Sequence, residues 1–179
     1  RPGRSTTSAL LSLQHQLVAA HERKDYTAVL LFDLSAAFDT LDHEIFLNKL
    51  GVYGVDGGGC KWFRSYLEGR EQQVQIGTKM SAKIRVPWGS PQGAVCSPLI
   101  FTIFIADMPL VVENSEIFGF ADDTTTTVSR PTIDEACTAA TADAERLMSY
   151  MRQNYLVANA NKTKLLVIRP KRNEDSPPV

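Results

Sequence analysis

IFGFADDTTTTV, residues 117–128, sets two aspartates, Asp122 and Asp123, between two strand-like stretches. Ile117 to Phe120 leads in and Thr124 to Val128 leads out. Neighbouring carboxylates repel, and Asp is a poor strand former. A fold accepts that conflict where a cation needs carboxylate oxygens. A third carboxylate, Asp33, follows the apolar run Ala28-Val29-Leu30-Leu31-Phe32. Two strands that each end in Asp can bring three carboxylates to one point, the minimal set for two-metal phosphoryl or nucleotidyl transfer.

Around these strands the chain reads as an α+β fold, helices packed on one face of a mainly antiparallel sheet. The apolar spacing of Leu10, Leu13, Leu17 and Ala20 predicts a helix over Ser5 to His21. Tyr26 to Phe32 reads as a strand covered on both faces, because its apolar run is continuous. Asp42 to Leu50 reads as a helix stopped by Gly51. The glycines of 54–59 lack phosphate-loop spacing and predict a break before a helix over Trp62 to Leu67. Gln72 to Ile76 and Lys83 to Val86 alternate like a hairpin. The spacing of Leu99, Ile103, Ala106 and Leu110 predicts one long helix from Ser97 to Val112. Thr132 to Tyr155 is the clearest helix: Thr132 and Glu135 form a capping box, and an apolar face runs from Ile133 through Ala140 and Leu147 to Tyr155. Leu165 to Ile168 closes the pattern as a short strand. The Asp33 strand is expected beside the hairpin that bears the aspartate pair.

The chain has 179 residues, enough for one sizeable core, and 44% hydrophobic with 22% charged residues is ordinary globular composition. No apolar run nears the roughly 18 residues of a membrane span. Cys60, Cys96 and Cys137 show no metal-ligand spacing; they point to a reducing compartment and to burial as small hydrophobes. His15, His21 and His43 form no zinc-like pair and are expected at the surface. The net charge of −1 is low for a complete nucleic-acid-binding unit.

Four ordered segments resemble the palm of reverse transcriptases, most closely those of non-LTR (LINE-like) retrotransposons. They are LLFDLSAAFDTLDHEIFLNKL, GSPQGAVCSPLIFTIFIADMP, FADD and NANKTKLLVI. RPGRSTTSAL resembles the segment these enzymes carry just before the first motif. The resemblance implies RNA-directed DNA polymerisation by a palm with part of the fingers over residues 1–168, a fragment of a longer polyprotein, with 169–179 as a disordered tail. It implies two Mg²⁺ ions, replaceable by Mn²⁺, held by Asp33, Asp122 and Asp123, with the main-chain carbonyl of Leu34 facing one of them. Phe38 matches the steric gate against the sugar 2′-hydroxyl. Gln92 and Gly93 match the loop against the incoming nucleotide and template. Lys162 matches the lysine proposed to protonate departing pyrophosphate. Asp39 and Asp42 read as caps or surface acids.

The partners so implied are an RNA template, a DNA primer and deoxynucleoside triphosphates, in a ribonucleoprotein of nucleus or cytoplasm, neither secreted nor in a membrane. The family's second segment is closer to G-V-P-Q-G-S-V-L-G-P-L-L-F; Ser90, Ala94, Cys96 and Ser97 stand here for Val, Ser, Leu and Gly. Upstream finger strands, thumb and endonuclease are missing from this stretch, so little activity is expected of it alone. A non-catalytic remnant of a mobile element is the alternative, and an RNA-dependent RNA polymerase palm a third reading.

Overall fold

The computed structural model describes residues 6–120, 123–159 and 161–170. Asp122 and most of the expected tail lie outside them. In chain order the elements are α1 (Thr6–Glu22), β1 (Tyr26–Ser35), α2 (His43–Val52), α3 (Gly57–Leu67), β2 (Glu71–Gln72), β3 (Gln75–Ile76), β4 (Lys79–Met80), β5 (Ile84–Arg85), α4 (Ser97–Phe104), a 3-10 turn at Met108–Leu110, β6 (Glu116–Phe120), β7 (Asp123–Arg130), α5 (Ile133–Gln153), β8 (Val157–Ala158) and β9 (Lys164–Ile168). They divide into two compact units: residues 1–35, 108–151 and 158–179, and residues 36–107 with 152–157.

The first unit holds the main sheet, in the order β6-β7-β1-β8 with β9 also paired to β1. The β1–β7, β1–β9 and β6–β7 pairs are antiparallel. The pleat sends Ala28, Leu30, Phe32 and Leu34 to one face, all buried. There Ala28 and Val128 pack against Ala136 and Ala140 of α5. Small residues at these helix positions let helix and sheet approach closely.

Thr27, Val29, Leu31 and Asp33 take the other face. Along its first half Thr127 Oγ1 donates to Gln16 Oε1 of α1 at 2.8 Å, and Thr27 and Ser129 share a 2.8 Å hydroxyl contact. Helices therefore lie on both faces here, not on one. The unbroken apolar run of β1 requires this: Val29 is 5% exposed and could not face water. The cover ends before Leu31, which is 41% exposed. Asp33, about 20 Å along the strand from Thr27, stands at the open end.

In the second unit Asp42 caps α2 by accepting the Ile45 amide at 2.9 Å, as a cap was expected to. Gly51 does not stop this helix, which continues to Val52. The glycine stretch differs from expectation too: α3 starts at Gly57, because Asp56 caps it through the Gly59 amide at 2.9 Å. The expected hairpin is found as two ladders, β2 with β5 and β3 with β4.

The long helix over 97–112 is corrected to the eight residues of α4. Pro109 is the cause: in a continued helix its ring would strike the Ile105 carbonyl and it has no N–H to give. The buried face is also different. Ile100, Phe101 and Phe104 are buried, while Leu99 and Leu110 are exposed. Lys49 closes the helix end, donating to the Phe104 carbonyl and to Asp107, each at 2.7 Å. Burial holds the Lys49 ammonium below its usual range, partly offset by Asp107.

The three cysteines are free and half-buried rather than fully buried. His15 and His21 are exposed as expected, but His43 is buried. No helix among the described residues is long and apolar enough to cross a membrane.

Candidate active site

In the β1–β7 register Asp33 lies directly opposite Asp123. Directly paired residues share a face, with Cβ atoms about 4.5–5.5 Å apart. Like charges in that relation oppose pairing. Nothing in strand propensity explains two carboxylates at the open end of the sheet.

Lys162 reaches the same point, its Nζ 3.3 Å from Asp33 Oδ2. The turn that carries it is organised by Asn159, which sequence reading passed over. The Asn159 amide donates to the Asp33 carbonyl at 2.8 Å. Its own carbonyl accepts from the amides of Lys162 and Thr163 and from Thr163 Oγ1. Its side chain accepts the Asn161 amide at 3.2 Å. The signal was present in N-A-N-K, since Asn favours turns through such local bonds. Leu34 is 4% exposed, so its side chain belongs to the core.

Two carboxylates sharing a face at an open sheet end are a hard-oxygen donor set that suits Mg²⁺ or Mn²⁺. Among the described residues no group of three potential metal ligands gathers. The expected set needs Asp122, which lies outside them.

Phe38, Gln92 and Gly93 belong to the second unit and form a cluster of their own. The Phe38 ring is half-buried, 5.0 Å from the Phe101 ring and tilted 41° to it. Gln92 Nε2 donates to both carboxylate oxygens of Asp39, at 2.8 and 3.0 Å. Asp39, expected as a cap or surface acid, is thus the partner of Gln92. Gly93 has a φ of +76°, which favours glycine at the turn.

Two of the unusual residues have structural consequences. Ser97 Oγ donates to the Pro91 carbonyl, tying the start of α4 to the loop. Ser90 is 2% exposed, and among the described residues its hydroxyl has no hydrogen-bond partner. Ser90→Ala is expected to raise stability by about 1 kcal/mol by removing a buried, unmatched hydroxyl. A thermal melt should show this as a rise of about 2–4 °C; a fall would mean that the hydroxyl has a partner.

Residues 1–176 match the family described as reverse transcriptase (RNA-dependent DNA polymerase). The chain belongs to the reverse transcriptase family. Relatives to which it is similar come from transposable elements. It is 28% identical over 181 residues to a probable RNA-directed DNA polymerase from transposon X-element of Drosophila melanogaster, covering 99% of this chain and 20% of that protein. It is 34% identical over 91 residues to the RNA-directed DNA polymerase from mobile element jockey of Drosophila funebris, covering 50% of this chain and 10% of that one. The chain therefore spans a fifth or less of these relatives. Among solved structures, apo telomerase from Candida tropicalis truncated from its C-terminal domain superposes with a TM-score of 0.67 at 16% identity, covering 92% of this chain and 35% of that one. That likeness shows the fold of a polymerase palm and fingers. Reverse transcriptases as a family use divalent metals, in keeping with the donor set at Asp33 and Asp123.

Proposed function

We propose that this chain is the palm-centred part of an RNA-directed DNA polymerase of a non-LTR retrotransposon. The observation that carries the reading is the Asp33–Asp123 cross-strand pair, with Lys162 on Asp33, in a chain of this family. Asp33, Asp122 and Asp123, with the Leu34 carbonyl, would hold two Mg²⁺ ions, for which Mn²⁺ can substitute. When bound, that pair supplies the positive charge that lowers the pKa of a primer 3′-hydroxyl and neutralises a triphosphate. The primer oxygen attacks the α-phosphorus of a deoxynucleoside triphosphate in line, and pyrophosphate leaves. Lys162 stands ready to give a proton to the departing group. Gln92 and Gly93 line the nucleotide and template, and Phe38 excludes a 2′-hydroxyl by bulk. RNA template, DNA primer and triphosphate are the partners of this reading, and a ribonucleoprotein in nucleus or cytoplasm is its cellular setting.

Primer extension on a homopolymer RNA template tests it, with Mg²⁺ or Mn²⁺. Residues 1–179 should be compared with a polypeptide extended in both directions. The short chain is expected to extend poorly, because positioning supplies much of the rate and this chain spans a fifth or less of the relatives it matches. No extension by the longer polypeptide would leave a non-catalytic remnant.

Phe38 makes a separate prediction. In an active polypeptide Phe38→Val should let ribonucleotides in while deoxynucleotide use falls only modestly. Phe38→Ala should cost about 2 kcal/mol, below the roughly 3–5 kcal/mol of a fully buried Phe. The kcat/KM ratio for the two sugars, measured beside a melting curve, separates a gate from plain packing. An unchanged ratio in a folded variant removes the gate.

A further inference from the structure

We propose that His43 is a positioning residue for the Gly89–Gly93 loop, acting with Arg70 through the carbonyl of Gly89; the inference rests on the reading of that loop as nucleotide-facing. Gly89 has a φ of +73°, and a Cβ there would lie 2.8 Å from Asp39 Cα, the Asp39 carbonyl and the Phe38 carbonyl. The loop backbone thus rests directly on the turn that follows β1. Any side chain at 89 would lift it off.

His43 and Arg70 hold it down. The Gly89 carbonyl accepts from His43 Nε2 at 2.7 Å and from Arg70 Nη1 at 2.8 Å. A carbonyl only accepts, so His43 must carry its proton on Nε2. Both His43 and Gly89 are buried, which makes a matched donor there matter more than at the surface. The amides on either side read the same turn: Gly89 N–H donates to the Leu41 carbonyl and Ser90 N–H to the Phe38 carbonyl, each at 2.8 Å.

At the tip, Asp39 completes the arrangement. A carboxylate accepts only, so the Gln92 amide must present its nitrogen to Asp39. Its carbonyl oxygen is then the group turned to other donors. Gln92 and Phe38 are held as one piece, with their spacing set before any nucleotide arrives. A side chain at the first position of α2 does this without touching substrate. Pre-organisation of this kind acts on nucleotide affinity and sugar choice more than on the chemical step.

Three variants test it. His43→Phe keeps the volume and loses the donor, His43→Gln keeps a donor at similar reach, and Arg70→Met removes the second donor but keeps an apolar stem. Hydrogen exchange at Gly89 and Ser90 is read in residues 1–179, with amides of β7 as internal reference. His43→Phe should speed exchange there about tenfold, leave β7 unchanged, and be rescued by His43→Gln. In a polymerising polypeptide the same variant should raise the KM for deoxynucleotides about tenfold, with kcat within about twofold. Unchanged exchange in both His43→Phe and Arg70→Met, or equal damage from His43→Gln and His43→Phe, overturns the proposal. If His43→Phe does not fold, Arg70→Met decides by the same readings. If no polypeptide polymerises, the functional reading fails while the exchange data still decide the positioning.

Discussion

In a polypeptide extended in both directions that polymerises, Asp123→Asn is expected to abolish extension, by about a thousandfold or more, while leaving metal-free residues 1–179 as stable as before or more so. The two halves of this result have one cause. Asp123 is exposed and faces Asp33 across the β1–β7 ladder, so its charge opposes strand pairing. Removing it relieves about 0.2–1 kcal/mol of repulsion without changing side-chain size. The same charge is what a divalent cation needs. Titrating Mn²⁺ in a thermal melt should raise the melting temperature of the parent, since a ligand that binds only the folded state adds about 2.7 kcal/mol at a hundred times its Kd. The variant should show little of that rise. An equal rise in both, or a variant that polymerises normally, would sink the assignment.

Asp143→Ala is expected to cost about 3 kcal/mol, a fall of roughly 6–12 °C in melting temperature for a chain of this size. Asp143 is wholly buried on α5. Its two oxygens accept the amides of Glu113 and Asn114 at 3.1 and 2.9 Å, and Arg146 Nη1 lies 2.9 Å from Oδ1. Arg146 also reaches Glu113 at 2.6 Å. The carboxylate thus anchors the loop that feeds β6 and so the strand leading to the aspartate pair. Truncation leaves two backbone amides without their partner and takes from the guanidinium one of its two carboxylates.

The acid limb carries the same information. Burial pushes the Asp143 carboxyl up, but Ser115, the Glu113 and Asn114 amides and the Asn114 side chain outweigh it and bring it down to about 2. A depressed folded value means stability that is present above the unfolded value of 3.8 and is lost as pH falls from there towards 2. That contribution is roughly 2 kcal/mol. The stability gap between parent and Asp143→Asn should therefore narrow as pH drops below 4. A gap independent of pH between 5 and 2 would show that the charge is not what anchors the loop.

The parts of the fold that were legible have strong local signals. The α5 helix was found within two residues at each end, because Thr132 accepts the Glu135 amide at 3.3 Å as its capping pattern implies. Its apolar face was read less well. Tyr155 is exposed, while Tyr150 and Asp143 are buried. A carboxylate on a core-facing position carries no sign in sequence that distant amides will receive it. The α4 helix was overread because its apolar composition extends to Val112, whereas Pro109 ends it sterically. At the candidate site, Asp33 and Asp123 were legible as acids at strand ends. The bond from the Asn159 amide to Asp33 and the Gln92–Asp39 bond were not, since each depends on a partner elsewhere in the chain; only the turn at Asn159 carried a local signal.

Local sequence was enough to find β1, α1 and α5 close to their observed extents and to see that two strands carry aspartate at an end. Those properties depend on residue period, branching and capping over a few neighbours. The family, too, could be read from four ordered motifs. Long-range folding sets Asp33 and Asp123 in direct register, buries His43 on the Gly89 carbonyl and carries Asp143 into the core. Each of these turns on which donors and acceptors long-range folding brings within hydrogen-bonding reach. A polar side chain is driven to the surface or held in the interior by those partners, and local sequence does not contain them.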